Sequence, residues 1–474
     1  MSEIKVNKIS PRTACGTTTL GDSGDTFTIP SGVSITNQGT ASGFGSTGEV
    51  SWVTTKKTTT FTVTAGEGYF CDTSSGGFTV NLPAGTAGAS FAVADYTNTF
   101  QTGNLTITPN GTNKIGGVNA SAVLATEGQS AYFVYVDDTE GWKNVIDSTS
   151  NLTGSQFIIA TGGTVSTSGN CKIHTFTSPG TFSVSQVHPC GANNEVSYAV
   201  VAGGGGGGTG DGGGGGGGAG GYRESKSPVT PYTASPLDGR PNAPNRVTVT
   251  ATSFPITVGG GGTGAGGVIP SPTAGTNGGV STFSTITSAG GGAGGNYGGG
   301  LPATCGVGEN GGSGGGGTSQ CGPSSPIAGG SGNTPSTSPA QGQNGGGGKG
   351  NTGGGGGGAG AAGETSPGPG EGGAGGAGVP TGINPSNCVG TPGPAPGRFF
   401  AGGGGGNNET PGAAPVQGAG GVGGGGAGDV PGGAGNAGIA NTGGGGGGID
   451  SNPPQPSATH NGGSGIVIIR YKFQ

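Results

Sequence analysis

Charge is the first thing this sequence lacks. Only 8% of its 474 residues are Asp, Glu, Lys or Arg, and the formal net charge is −6. Nucleic-acid binders cluster Lys and Arg on one face, and no such patch is present. Three histidines, and seven cysteines without a CxxC pair, argue against a zinc site. No apolar stretch approaches the roughly 18 residues of a membrane span. Residues 1–10, MSEIKVNKIS, have no apolar signal core, so synthesis in a cytosol without general secretion is expected. Catalytic patterns are equally scarce. The nearest phosphate-loop lookalike, around Gly348-Lys349, has Gln343 for the first glycine and Gly350 for the Ser or Thr. His174 and His188 stand at irregular spacing from Cys171 and Cys190, and no nucleophile elbow accompanies any histidine. Asp137, Asp138 and Glu140 read as a solvated turn before Trp142, not as a glycosidase pair in a cleft. No enzymatic activity, cofactor or metal is expected.

Glycine dominates what is present. The chain has 125 Gly and 32 Pro, with nine runs of four or more glycines between Gly203 and Gly448. No Gly-X-Y triplet persists, which excludes collagen. Ordering glycine costs more entropy than ordering any other residue. Its one advantage is close approach: without Cβ atoms, extended three-residue-per-turn helices can pack side by side and hydrogen-bond to one another. The runs are discrete and separated by varied segments, as rods joined by loops would be.

The flanks read as β. Residues 1–48 alternate Phe27, Ile29, Val33 and Ile35 with polar neighbours. Residues 49–150 carry short strand patterns at Phe61, Tyr69–Cys71, Phe78–Leu82, Phe91–Val93, Leu105–Ile107 and Tyr132–Val136, with turn signals between them, as in a sandwich or barrel. Trp142 is expected in that core, and Cys71 as a buried thiol. Residues 151–474 form the third region. Strand patterns at 155–202 and 465–473 bracket the glycine region 203–464, and the run Ile466–Ile469 is expected to pair with the strands before residue 202. Cys171/Cys190 and Cys305/Cys321 each flank a short loop and remain open as possible bridges.

The longer interruptions, Tyr222–Val258, Val268–Ala289, Leu301–Ser313, Thr318–Asn344, Val379–Ala401 and Ile449–Asn461, become loops at rod ends. Their large side chains are the candidate contact residues: Tyr222, Arg223, Tyr232, Arg240, Phe254, Arg398, Phe399 and Phe400. The bland reading is that the aromatics staple the loops down.

The segments Val200-Val-Ala-Gly-Gly-Gly-Gly-Gly-Gly208 and Gly462-Gly-Ser-Gly-Ile-Val-Ile-Ile-Arg-Tyr471, with Met1–Ile9 and the stretch from Thr19, resemble bacteriophage tail-fibre and adhesin proteins with a glycine-rich distal domain, including those of marine phages and cyanophages. The resemblance implies an all-β homotrimer with three parts: a virion-attaching N-terminal β segment, a shaft or knob domain, and polyglycine II helices that present loops at the tip. It implies tail proteins of the virion and a host surface protein or polysaccharide as partners. It implies placement on the virion after synthesis in the bacterial cytoplasm. A head-decoration protein without receptor specificity and a glycan depolymerase are the rival readings.

Overall fold

The computed structural model describes residues 50–147, 157–210, 213–266, 273–297, 306–319, 326–386, 388–408, 416–431, 435–450 and 459–474. The expected attachment segment 1–48 and the pair Cys305/Cys321 lie outside them. The chain divides between Gly154 and Ser155 into two compact units. The fold is all-β, with two short 3-10 turns, and none of the described sheets closes into a barrel.

In the first unit the strands are β1 (Ser51–Lys57), β2 (Phe61–Thr62), β3 (Glu67–Cys71), β4 (Phe78–Asn81), β5 (Ser90–Asp95), β6 (Leu105–Thr108), β7 (Ala122–Leu124), β8 (Ser130–Tyr135) and β9 (Trp142–Asp147). One sheet runs β1-β3-β5-β8-β9 and the other β2-β4-β6-β7. Neighbours β1, β3 and β5 are parallel, as are β2, β4 and β6. The chain therefore winds in successive coils between two sheets before antiparallel pairs close it. Period-two alternation sends Phe91, Val93, Leu105, Ile107 and Phe133 into one core. Phe91 and Phe133 stack at 4.8 Å, and Trp142 meets Phe91 edge-on at 5.2 Å. Trp142 and Cys71 are fully buried, and burial pushes the Cys71 thiol up to about 12.

The second unit begins with β10 (Ile159–Thr161), β11 (Thr164–Ser168), β12 (Cys171–Phe176), β13 (Gly180–Gln186) and β14 (Glu195–Val201). Short strands then interrupt the glycine region: β15 (Thr209–Gly210), β16 (Tyr222–Ser225), β17 (Val247–Thr248), β18 (Ser253–Thr257), β19 (Ser281–Phe283), β20 (Ile286–Ser288), β21 (Val379–Thr381), β22 (Arg398–Phe400) and β23 (Ile449–Asp450). The last strand is β24 (Ile466–Lys472). It lies between β12 and β14, antiparallel to both, in the order β11-β12-β24-β14-β16. A second sheet, β10-β13-β18-β19-β20, faces it. Val467, Ile469 and Tyr471 point into the sandwich with Phe182 and Phe283. Ile466 and Ile468 point the other way, onto Tyr222, Ala219, Ala359 and Phe400. Cys171 and Cys190 are both free thiols.

The strands run directly into glycine rods. Residues 203–208 continue β14, and their N–H groups turn through three directions with a period of three. Gly203 and Gly206 donate to Gly279 and Thr276, Gly204 and Gly207 to Gly463 and His460, and Gly205 and Gly208 to Gly218 and Gly215. Their carbonyls accept from three further segments: Gly291 and Gly294, Gly262 and Ala265, and Gly446 and Ile449. One rod thus has six neighbours, three antiparallel and three parallel. The runs around Gly215–Gly220, Gly353–Gly358 and Gly402–Asn407 repeat the pattern with other partners. This is the three-fold geometry of polyproline II helices, packed as a hexagonal array of bare main chain. No glycine within 203–208, 214–220, 353–358 or 402–407 has positive φ; turn residues such as Gly423 (φ 105°) and Gly424 (φ 100°) do.

Side chains are excluded inside the array for a steric reason. A methyl on Gly205 would overlap the carbonyl oxygen of Gly292, and one on Gly216 that of Gly404. Each interior N–H gains a partner worth about 0.5–1.5 kcal/mol net, a repeated gain that works against the entropy of ordering glycine.

Candidate binding surface

The rods alternate away from the sheet and back, so the array has a sheet end and a far end. At the sheet end lie β16, the loop 226–246, the turns at 310–312 and 359–361, the segment 332–341 and the hairpin β21–β22. At the far end the rods close at Gly266 with Thr273, at Ile327 with Gly348, at Thr352 with Asn408, and at β15 with β23.

All eight sequence-predicted contact residues fall at the sheet end or on the sandwich. Three are a correction: Tyr222, Phe399 and Phe400 are 1%, 4% and 1% exposed. Tyr222 and Phe400 pack onto Ile466 and Ile468, so they act as staples and have no free surface to offer. Phe254 is half-buried against Phe182 and Phe283, with ring centroids at 6.4 and 6.1 Å. Arg398 is half-buried and donates to the carbonyls of Val389 and Gly390, each at 2.8 Å. Arg240 is held by Glu195 through Nε at 2.7 Å. Tyr232 lies between two cations, Arg470 at 5.3 Å and Lys226 at 5.5 Å from its ring.

Beneath these residues is a polar network that sequence reading missed. Glu224 is 2% exposed and accepts from Tyr222 Oη (2.8 Å), Ser235 N (2.9 Å) and Thr381 Oγ1 (2.7 Å). Desolvation holds its carboxyl above the usual carboxylate range. Arg470, 3% exposed, donates to the carbonyls of Ile383 (3.0 Å) and Pro231 (2.9 Å). The two residues tie the loop 226–240 and the segment 379–386 to the sheet. The legible signal was alternation: Tyr222 and Glu224 share one face of a strand, as do Ile466, Ile468 and Arg470.

Arg223 is the member of the eight that lines a groove with residues 241–245 and 336–338. It lies where the edge strands β16 and β20 approach, donating from Nη2 to Asn245 Oδ1 at 2.5 Å and from Nη1 to the Thr287 carbonyl at 3.5 Å. The groove beside it has a volume of about 590 Å³, walled by residues 241–245 and 336–338. Asn242 and Asn245 both donate to the Ser338 carbonyl, at 3.1 and 2.8 Å, which locks the walls together. A smaller cavity of about 250 Å³ beside Phe157 and His188 has its cation, Lys472, already over the Phe157 ring at 5.5 Å.

His174 is fully buried, with Nδ1 on the Gly162 carbonyl and Nε2 on Tyr471 Oη. Among the described residues no group of three His, Cys, Asp or Glu could hold a metal ion, and no helix is long and apolar enough to cross a membrane.

No curated protein matches the chain. Residues 176–472, more than half of it and spanning the sandwich and the rods, match the family described as a glycine-rich domain, and the chain belongs to that family.

Proposed function

We propose that this chain is the adhesive part of a bacteriophage appendage, a homotrimeric tail fibre whose glycine-rich unit presents loops to a host-cell surface. The observation that supports the reading is the polarity of the rod array. One end is welded to a hydrophobic sandwich through β14, β16 and β24. At the other end described rods meet away from the sandwich, Gly266 with Thr273, Ile327 with Gly348 and Thr352 with Asn408. The sequence that follows such rods is varied, as in GVIPSP at 267–272 and SNPPQPSA at 451–458. A rigid scaffold that tolerates change in its connections is how binding loops are generally displayed. Individual contacts would be weak, and several copies would add avidity through effective concentration. The unit before Gly154 would then serve the shaft, and residues 1–48 the virion.

Segment exchange tests this. Replacing 267–272 and 451–458 by those of a related protein should change which cells the protein binds and leave its melting curve in place. Exchange of 392–396, in the β21–β22 connection at the sheet end, should leave cell preference unchanged. If the sheet-end exchange alone moves cell preference, the far end is not the contact face. Light scattering on the intact protein checks the trimer.

A further inference from the structure

We propose that the groove beside Arg223 is a binding site for a carboxylate-bearing saccharide, an acidic sugar unit within an oligosaccharide. The site lies at the sheet end and is independent of the far-end reading above.

The argument starts from charge. Arg223 is half-buried, and its hydrogen-bond partners among the described residues are an amide oxygen and a backbone carbonyl, neither of them an anion. The walls, residues 241–245 and 336–338, contain no Asp or Glu. The nearby acids are occupied. Glu224 lies on the opposite face of β16 and already accepts three hydrogen bonds. Glu195 is forked by Arg240, and Asp238 accepts from the Lys226 and Arg240 amides. The groove therefore presents a guanidinium with no carboxylate in hydrogen-bond contact among the described residues, and its planar fork of donors matches a carboxylate.

The rest of the lining selects a saccharide over an acidic peptide. Ser336 and the side-chain oxygen of Asn242 line it together with Pro241 and Pro244, while Thr337 Oγ1 is taken by Asn333 and Pro339. That mixture suits the hydroxyls and C–H faces of a pyranose. The lining holds no large apolar or aromatic side chain to receive a peptide anchor. The walls are also fixed in advance: Asn242, Asn245 and Ser338 cross-link them, and Tyr198 Oη donates to the Asn245 carbonyl at 2.6 Å. A preset groove avoids much of the ordering cost of binding.

The probe is a defined oligogalacturonate, titrated calorimetrically into the full chain, with its methyl ester as the uncharged partner of the same shape. The acid form should bind, more weakly at higher salt, and esterification should cost about tenfold or more in affinity, as loss of a charged hydrogen bond does. Arg223→Gln should lose the same factor and Arg223→Lys should fall between, each variant still melting cooperatively. Equal affinity for acid and ester would overturn the proposal. So would undiminished binding to Arg223→Gln, no binding of the acid form at millimolar concentration, or stronger binding of a Glu-terminated peptide than of the sugar. None of these outcomes touches the segment-exchange result.

Discussion

The two units of this chain solve the same problem with opposite materials. Before Gly154, backbone order follows from side chains: Phe91, Phe133 and Trp142 fill a core, and the strands take the register that core imposes. In the glycine array, order follows from the absence of side chains: Gly205, Gly216 and Gly355 lie so close to neighbouring carbonyls that a methyl has no room. The first unit loses stability when atoms are removed, and the second when atoms are added.

That contrast sets the expected scale of perturbation. Phe91→Ala should cost about 3–5 kcal/mol through lost burial and a cavity. Calorimetry should show it as a lowered transition of the first unit beside an unmoved second one. Gly216→Ala, a single added methyl against the Gly404 carbonyl, should cost the second unit about 2–3 kcal/mol by overpacking. An unshifted midpoint for that variant would show that the rods are not packed as described.

Acid should separate the units next. Asp72 is held below the carboxylate range by hydrogen bonds from Lys56 and then Ser74, so its stabilising contribution is present above about pH 4 and lost as pH falls. Glu224 is held above that range by desolvation. Its contribution is complete below about pH 4 and is lost as pH rises through its raised value. Melting curves from pH 3 to 7 should therefore slope in opposite senses, and Asp72→Asn and Glu224→Gln should each flatten one of them. Parallel slopes that neither variant changes would contradict the assignment. The smallest effect is expected at Gly260, on the edge of the array, where an added Cβ meets nothing within 4 Å. Gly260→Ala should be neutral or stabilising by up to about 1 kcal/mol through the unfolded chain.

Much of this was legible in particular residues. The run Ile466–Ile469 announced a buried strand, and β24 is the central one. Tyr69–Cys71, Phe91–Val93 and Tyr132–Tyr135 appear within β3, β5 and β8. Parallel pairing of β1 with β3 was not legible, because alternation encodes which face is buried and not which neighbour is chosen. Rod partners were illegible for a stronger reason: consecutive glycines carry nothing that distinguishes one register from the next. The contact residues were misread where size was taken for exposure. Phe399 and Phe400 precede a glycine run as Val200 and Val201 do, and like them they are buried strand residues.

The position of β24 has a consequence for synthesis. Residues 466–472 bond on one side to β12 and on the other to β14, and the rods lie between β14 and β24 in the chain. The sheet these strands form cannot be completed until β24 has been made. The glycine region is therefore translated before the strand that closes the sheet it starts from. Contacts so distant in sequence fold slowly, and the scarcity of large apolar groups is what would keep such a waiting chain from clinging to its neighbours.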